Sequence, residues 1–223
     1  MAVILNGTVS PSWQDYAAAG KGFIASNPTP GTGIVCGTVT AFSATADGLF
    51  TLSNGNAAGG ASIRMNSVAL NMSGTAPTAT TVMKSAFYLE QGIVAPSGGS
   101  SAVVPRNALL GGPASSGTLN VFAAAMCTIP AAVGTRQLAG NVSIPTNLGI
   151  TGDSYIVKLD GTQPDNGAFS VVVRATVPSR FAAGTAAPII IAPQQTLIAD
   201  WWWIGQATNG PTFEYEISWI ETV

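Results

Sequence analysis

The stretch Thr212-Phe-Glu-Tyr-Glu-Ile-Ser-Trp219 alternates polar and apolar residues without a break. A period of two suits a pleated strand and defeats an amphipathic helix, whose apolar face repeats every 3.6 residues. As a strand, it places Phe213, Tyr215, Ile217 and Trp219 on one face, with Thr212, Glu214, Glu216 and Ser218 on the other. The pattern recurs upstream. Tyr155, Val157 and Leu159 oppose Ser154, Ile156 and Lys158, while Phe169, Val171, Val173 and Ala175 oppose Ser170, Val172, Arg174 and Thr176. No comparable stretch carries a helical period.

Shorter strands are expected over 33–42, 62–70, 81–90, 118–123 and 137–144. In 62–70, Ile63 and Met65 share a phase that shifts at Val68 and Leu70, as one extra residue in a strand would produce. In 81–90, Met83, Phe87 and Leu89 fall on one side. Gly/Ser/Pro/Asn-rich tracts at 97–101, 111–117 and 160–167 separate these runs as turns and loops. Many short strands so punctuated predict an all-β fold: an antiparallel β-sandwich, jelly-roll-like. The chain of 223 residues is long enough for one such domain, assigned to 36–223.

Residues 1–35 differ in character. Trp13, Tyr16 and Phe23 are spaced by small residues, and Asn27-Pro-Thr-Pro-Gly31 closes the stretch in an extended form. This predicts an N-terminal arm, lying over its own domain or reaching onto a neighbouring subunit. Deleting 1–30 is then expected to weaken attachment and leave the sandwich folded.

Charged residues make up only 8% of the chain, against roughly 25% in an ordinary soluble domain. Ala, Gly, Ser and Thr take their place, which suits close packing of neutral surfaces. Eight scattered Lys and Arg and a net charge of −2 argue against direct nucleic-acid binding, which needs clustered cations. Membrane insertion is not expected either. Apolar runs such as Val121-Phe-Ala-Ala-Ala-Met-Cys127 stop far short of about 20 residues, and aromatic girdles of a membrane barrel are missing. The opening residues Met-Ala-Val-Ile-Leu-Asn lack a basic flank and are not read as a secretory signal.

Chemistry is sparse. Without histidine there is no Ser-His-Asp or Cys-His machinery, and the commonest zinc sites are excluded. No phosphate loop or dinucleotide fingerprint occurs. Cys36 and Cys127 match no metal or redox spacing; a disulfide is open to them if the fold brings them together, and reduced, buried thiols are the expectation. Glu214 and Glu216 share a strand face about 7 Å apart, which fits a solvated face as well as the carboxylate pair of a glycosidase. The 160–166 loop offers oxygen ligands without the spacing of a calcium loop. The sequon matches at Asn6, Asn71 and Asn141 carry little weight in a chain so rich in Asn, Ser and Thr. The expectation is a non-enzymatic chain with no cofactor and no metal.

Trp201, Trp202 and Trp203 are consecutive in Leu197-Ile-Ala-Asp-Trp-Trp-Trp-Ile-Gly205. As a strand, this segment sends Trp201 and Trp203 one way and Trp202 the other, so both faces need cover. Three arrangements provide it: a central strand of the chain's own sandwich, a subunit interface, or aromatic stacking on sugar rings with Asp200 as a polar contact. Together with Trp13, Tyr16 and Phe23, these tryptophans are the candidate interface residues.

Three C-terminal stretches, 187–197, 199–205 and 212–219, with the charge-poor Gly/Ala/Ser/Thr composition, resemble virion structural proteins of tailed bacteriophages, particularly capsid decoration (cement) and minor structural proteins. The resemblance implies a jelly-roll or related β fold, no cofactor, and display in many copies on a virion assembled in the host cytoplasm. The partners it implies are further copies of the chain, a trimer by preference, and the major capsid protein or other virion proteins. The alternative is a tail-fibre or receptor-binding domain that recognises host glycans.

Overall fold

The computed structural model describes residues 4–5, 8–9, 11–35, 48–74, 82–96, 100–122, 132, 134–145, 151–161, 180–185, 187–203 and 212–222. Within them run β1 (Ile4–Leu5), β2 (Thr8–Val9), α1 (Trp13–Ala18), β3 (Gly22–Ser26), β4 (Ile34–Val35), β5 (Gly48–Asn54), β6 (Ser62–Met72), β7 (Val82–Gln91) and β8 (Ser100–Val103). There follow β9 (Arg106–Asn107), β10 (Gly117–Phe122), β11 (Arg136–Pro145), β12 (Ser154–Lys158), β13 (Arg180–Gly184), β14 (Ile190–Ile191), β15 (Gln195–Trp203) and β16 (Thr212–Thr222).

Two sheets pack face to face. One has the order β11-β7-β15-β5-β10-β8; the other runs β13-β12-β6-β16-β3-β9, with β14 also on β6 and β4 also on β16. Neighbours are antiparallel except β12 and β13, which are parallel. The fold is therefore the expected antiparallel-dominated sandwich. A jelly roll distributes eight strands between its sheets; here six and eight described strands share the two layers. The 169–176 strand, Cys36 and Cys127 lie outside the described residues.

The core is what the alternation selects. Phe213, Tyr215, Ile217 and Trp219 of β16 are buried, as are Tyr155, Val157 and Leu159 in and just after β12. Tyr155 meets Phe213 edge to face, with ring centroids 6.0 Å apart. In β6, Ile63, Met65, Val68, Leu70 and Met72 are all buried. Ser218 pairs with Ser67 while Trp219 pairs with Met65, leaving Asn66 as the extra residue. This is the bulge that the phase shift predicted. It also gathers a polar knot on the outer face, where Asn66 Nδ2 donates to Ser218 Oγ at 2.9 Å and the Ser67 and Ser218 hydroxyls lie 3.0 Å apart.

β15 is a central strand, between β7 and β5. Its inward residues Leu197, Ala199 and Trp201 and its outward residues Thr196, Ile198 and Asp200 are all buried. The 92–96 loop supplies the outer cover: Val94 packs with Ile198 and Tyr88. Thr196 ties that loop down, accepting from Val94 N at 3.0 Å, donating to Gly92 O at 2.9 Å and sharing a 2.9 Å contact with Ser53 Oγ.

The N-terminal arm needs correction. Residues 22–26 are β3, an integral strand paired with β16 from Gly22↔Ile220 to Ser26↔Glu216. Phe23 is 2% exposed and stacks on Trp219 at 6.2 Å. Removing 1–30 would strip a core aromatic and leave β9 without its neighbour, so the sandwich does not begin at residue 36 but includes β3. Ahead of β3, α1 is started by a capping box in which Ser12 Oγ accepts from Asp15 N, while Asp15 accepts from Ser12 N at 2.7 Å. The signal Ser12-Trp-Gln-Asp15 was present in the sequence. The chain then turns back at Gly20, whose φ of +71° suits glycine.

Candidate functional site

The two flanks of the sandwich differ. On one, the edge strands β11 and β13 approach closely, and a Cβ on Gly140 would come within 2.8 Å of Thr185 Cγ2. On the other, Val104 and Pro105 carry the chain from β8 in one sheet to β9 in the other. Between this crossing and the 27–33 loop lies a cavity of about 640 Å³, whose lining includes Pro28, Pro30, Ile34, Val103, Val121 and Tyr215, with Arg106 beside them.

Both boundaries of this flank are held rigid. Asn27 Nδ2 donates to Thr32 O, Thr29 N reaches Asn27 Oδ1 at 3.4 Å, and Gly31 N donates to the Glu214 carboxylate. Asn27 N also donates to Tyr215 O at 3.1 Å, fixing the loop to β16. On the far side, Asn107 Nδ2 donates to Gly20 O at 2.8 Å and Pro113 O at 2.9 Å, and Leu109 N donates to Asn107 Oδ1 at 2.9 Å. Leu109 to Gly112 closes a four-residue turn through Gly112 N to Leu109 O at 2.9 Å, with Gly111 at φ +81°. That geometry belongs to a type II turn, which puts Leu110 at its tip.

The apolar residues here face water. Leu110 is fully exposed, Val104 is 83% exposed and Leu109 44%. Half of the large apolar side chains that are exposed among the described residues thus fall within seven positions of one flank. A local concentration of that kind marks a contact surface more often than scattered exposure does.

The residues singled out from sequence are dispersed. Phe23 and Trp201 sit in the chain's own core, Trp201 at 1% exposure with its ring edge-on to Phe87 at 5.2 Å. Trp13 and Tyr16 are half-buried on α1. Trp202 and Trp203 pair through their backbones with Lys84 and Met83, and their side chains lie outside the described residues. Val104, Leu109 and Leu110 were missed, because exposed apolar residues carry no periodic signal. The turn chemistry of Leu109-Leu-Gly-Gly112 was the one available hint.

Three carboxylate sites have structural explanations. Arg136 Nε donates to Glu90 Oε2 at 2.7 Å, forming an ion pair with a fully buried Glu90. Glu221 accepts from Ser115 Oγ at 2.5 Å, Ser116 Oγ at 2.7 Å, Ser116 N at 3.1 Å and Trp219 Nε1 at 3.3 Å. Glu214 anchors Gly31, while Glu216 is exposed. Burial pushes the Tyr215 phenol above its ordinary value; burial and then the Asp200 charge do the same to Tyr88. Hydrogen bonds from the Ser12 backbone and hydroxyl hold the Asp15 carboxyl below its usual range. Among the described residues, no three His, Cys, Asp or Glu converge to hold a metal ion, and no helix is long and apolar enough to cross a membrane. No family model, curated protein or solved structure matches this chain.

Proposed function

We propose that the chain is a non-enzymatic structural subunit of a multi-copy assembly, a capsid decoration or minor structural protein of a tailed-phage virion. The observation that carries this reading is a single flank along which Val104, at the cavity, and Leu109 and Leu110, at the turn, all face water, on a chain with only 8% charged residues. Covering such side chains stabilises an assembly by about 25 cal/mol per Å² of apolar surface removed from water. Arg106 is the one charged residue among the described residues that line the cavity, so close packing there desolvates little charge. A subunit that binds only the assembled state then stabilises it by mass action.

The glycan-recognition alternative calls for aromatic platforms open to solvent. Phe23, Trp201 and Trp219 are spent in the core instead. Mass spectrometry of particles purified from the source, run beside a glycan array of the isolated protein, tests the proposal. Many copies per particle and a blank array are expected. Absence from particles, or glycan binding lost on substitution of an exposed aromatic, would overturn it.

A further inference from the structure

We infer that the β8/β9 flank is a two-fold contact between copies of this chain, in which each copy inserts its Leu109–Leu110 turn into the cavity of the other. This rests on the reading of the chain as a multi-copy subunit and names the surface and symmetry that reading leaves open.

The two halves of the contact are present on one molecule. The projecting half is the Leu109–Gly112 turn, whose tip residue Leu110 is fully exposed. The Asn107 side chain braces it, donating to Gly20 O and Pro113 O and accepting from Leu109 N, and a Cβ on Gly112 would collide with that side chain at 2.6 Å. The receiving half is the cavity of about 640 Å³ with Ile34, Val103 and Val121 in its walls and prolines 28 and 30 at its loop. Both halves are already ordered, so association costs little loop entropy.

Their placement selects the symmetry. β3 runs along this flank, with its Gly22 end bonded to the turn through Ala108 N to Gly22 O at 2.9 Å. Its Ser26 end lines the cavity. Four residue steps of strand separate the two, about 13 Å. A two-fold axis across the flank, near the Ile24↔Arg106 pair, exchanges the two ends. It sets each turn over the other copy's cavity, because the spacing is the same in both. The contact is isologous and closes at two copies, with no free turn or cavity left to grow a filament. A ring of three would need the turn and the cavity on different flanks.

Sedimentation velocity of the full chain, from about 1 to 100 μM, tests this. The wild type is expected to dimerise with a Kd on the order of micromolar. Leu110→Asp is expected to weaken it about 100-fold, roughly tenfold for each of two lost insertions. Thr29→Trp, an exposed lining residue enlarged to block the mouth, should do the same. Circular dichroism checks that both variants stay folded. Mixing the two restores one insertion, an intact turn meeting an intact cavity. The mixture should therefore form a heterodimer that neither variant forms alone. A monomeric or trimeric wild type, a Leu110→Asp protein that dimerises normally, or a mixture that stays monomeric would overturn the inference. If Leu110→Asp abolishes the dimer yet the chain is absent from particles, the virion reading fails and this contact stands. If the chain is abundant in particles but its oligomer ignores Leu110→Asp, the reverse holds.

Discussion

Replacing Glu221 by Ala should cost more stability than its half-buried position implies. Glu221 stands near the end of β16 in one sheet, and its carboxylate binds the Ser115–Ser116 turn that leads into β10 of the other. Four donors converge on it: two hydroxyls, the Ser116 N–H and the Trp219 indole N–H. A hydrogen bond to a charged acceptor contributes about 1.5–3 kcal/mol, and an abandoned buried donor costs about 1–3 kcal/mol. Ser115 and Ser116 are only half-buried, so water replaces part of what is lost. The indole N–H belongs to a fully buried Trp219, but its 3.3 Å bond is the weakest of the set. A total of about 2–3 kcal/mol follows, close to the lower bound for two charged bonds. For a chain of this size that lowers Tm by about 4–12 °C. Urea unfolding should show the midpoint falling with an unchanged m-value, since the surface exposed on unfolding is the same. Glu221→Gln, which keeps the shape and loses the charge, should fall between. A Tm drop under about 2 °C for Glu221→Ala would refute the idea that this carboxylate joins the sheets.

Other outcomes are equally checkable. Arg136→Ala leaves Glu90 buried without its guanidinium and should cost about 3–5 kcal/mol in urea unfolding; Glu90→Met added to Arg136→Met should recover most of it. Deleting 1–30 removes β3 and should give an aggregated or unfolded chain by circular dichroism, where an independent arm would leave the sandwich intact. Phe23→Ala alone should cost about 3–5 kcal/mol. The raised Tyr215 and Tyr88 phenols keep their protons in the folded state after the unfolded chain has lost its own. Stability should therefore be flat below about pH 9 and fall as pH rises through the ordinary phenol value near 10, with Tyr215→Phe reducing that dependence and Tyr88→Phe added to it reducing it further in alkaline urea titrations.

Legibility followed the range of the signal. The alternation at 212–219 and 154–159 placed Phe213, Tyr215, Ile217, Trp219, Tyr155, Val157 and Leu159 in the core. The broken phase between Met65 and Val68 located a bulge before any partner strand was known. The need to cover both faces of the Trp201–Trp203 strand was also readable; Trp201 is buried, and loop 92–96 covers the outer face of the same strand at Ile198. Phe23 was misread because the proline-rich tract that follows it looks like the end of an arm, while β3 earns its place in the sheet only through β16. For the candidate surface, the sequence offered the turn at Leu109–Gly112 and nothing about its exposure.

Pleat geometry is local: a residue's side of a strand depends only on the neighbours it alternates with, so sequence alone determined the β class, the inward faces and the neutral exterior. Which strand lies beside which depends on closing long loops and matching whole faces, and that information is spread over the chain. Hence only the tertiary structure decided that Glu221 meets Ser115 and Ser116, that Arg136 meets Glu90, that Trp201 turns inward, and that one flank closes while the other holds a cavity beside a leucine-tipped turn.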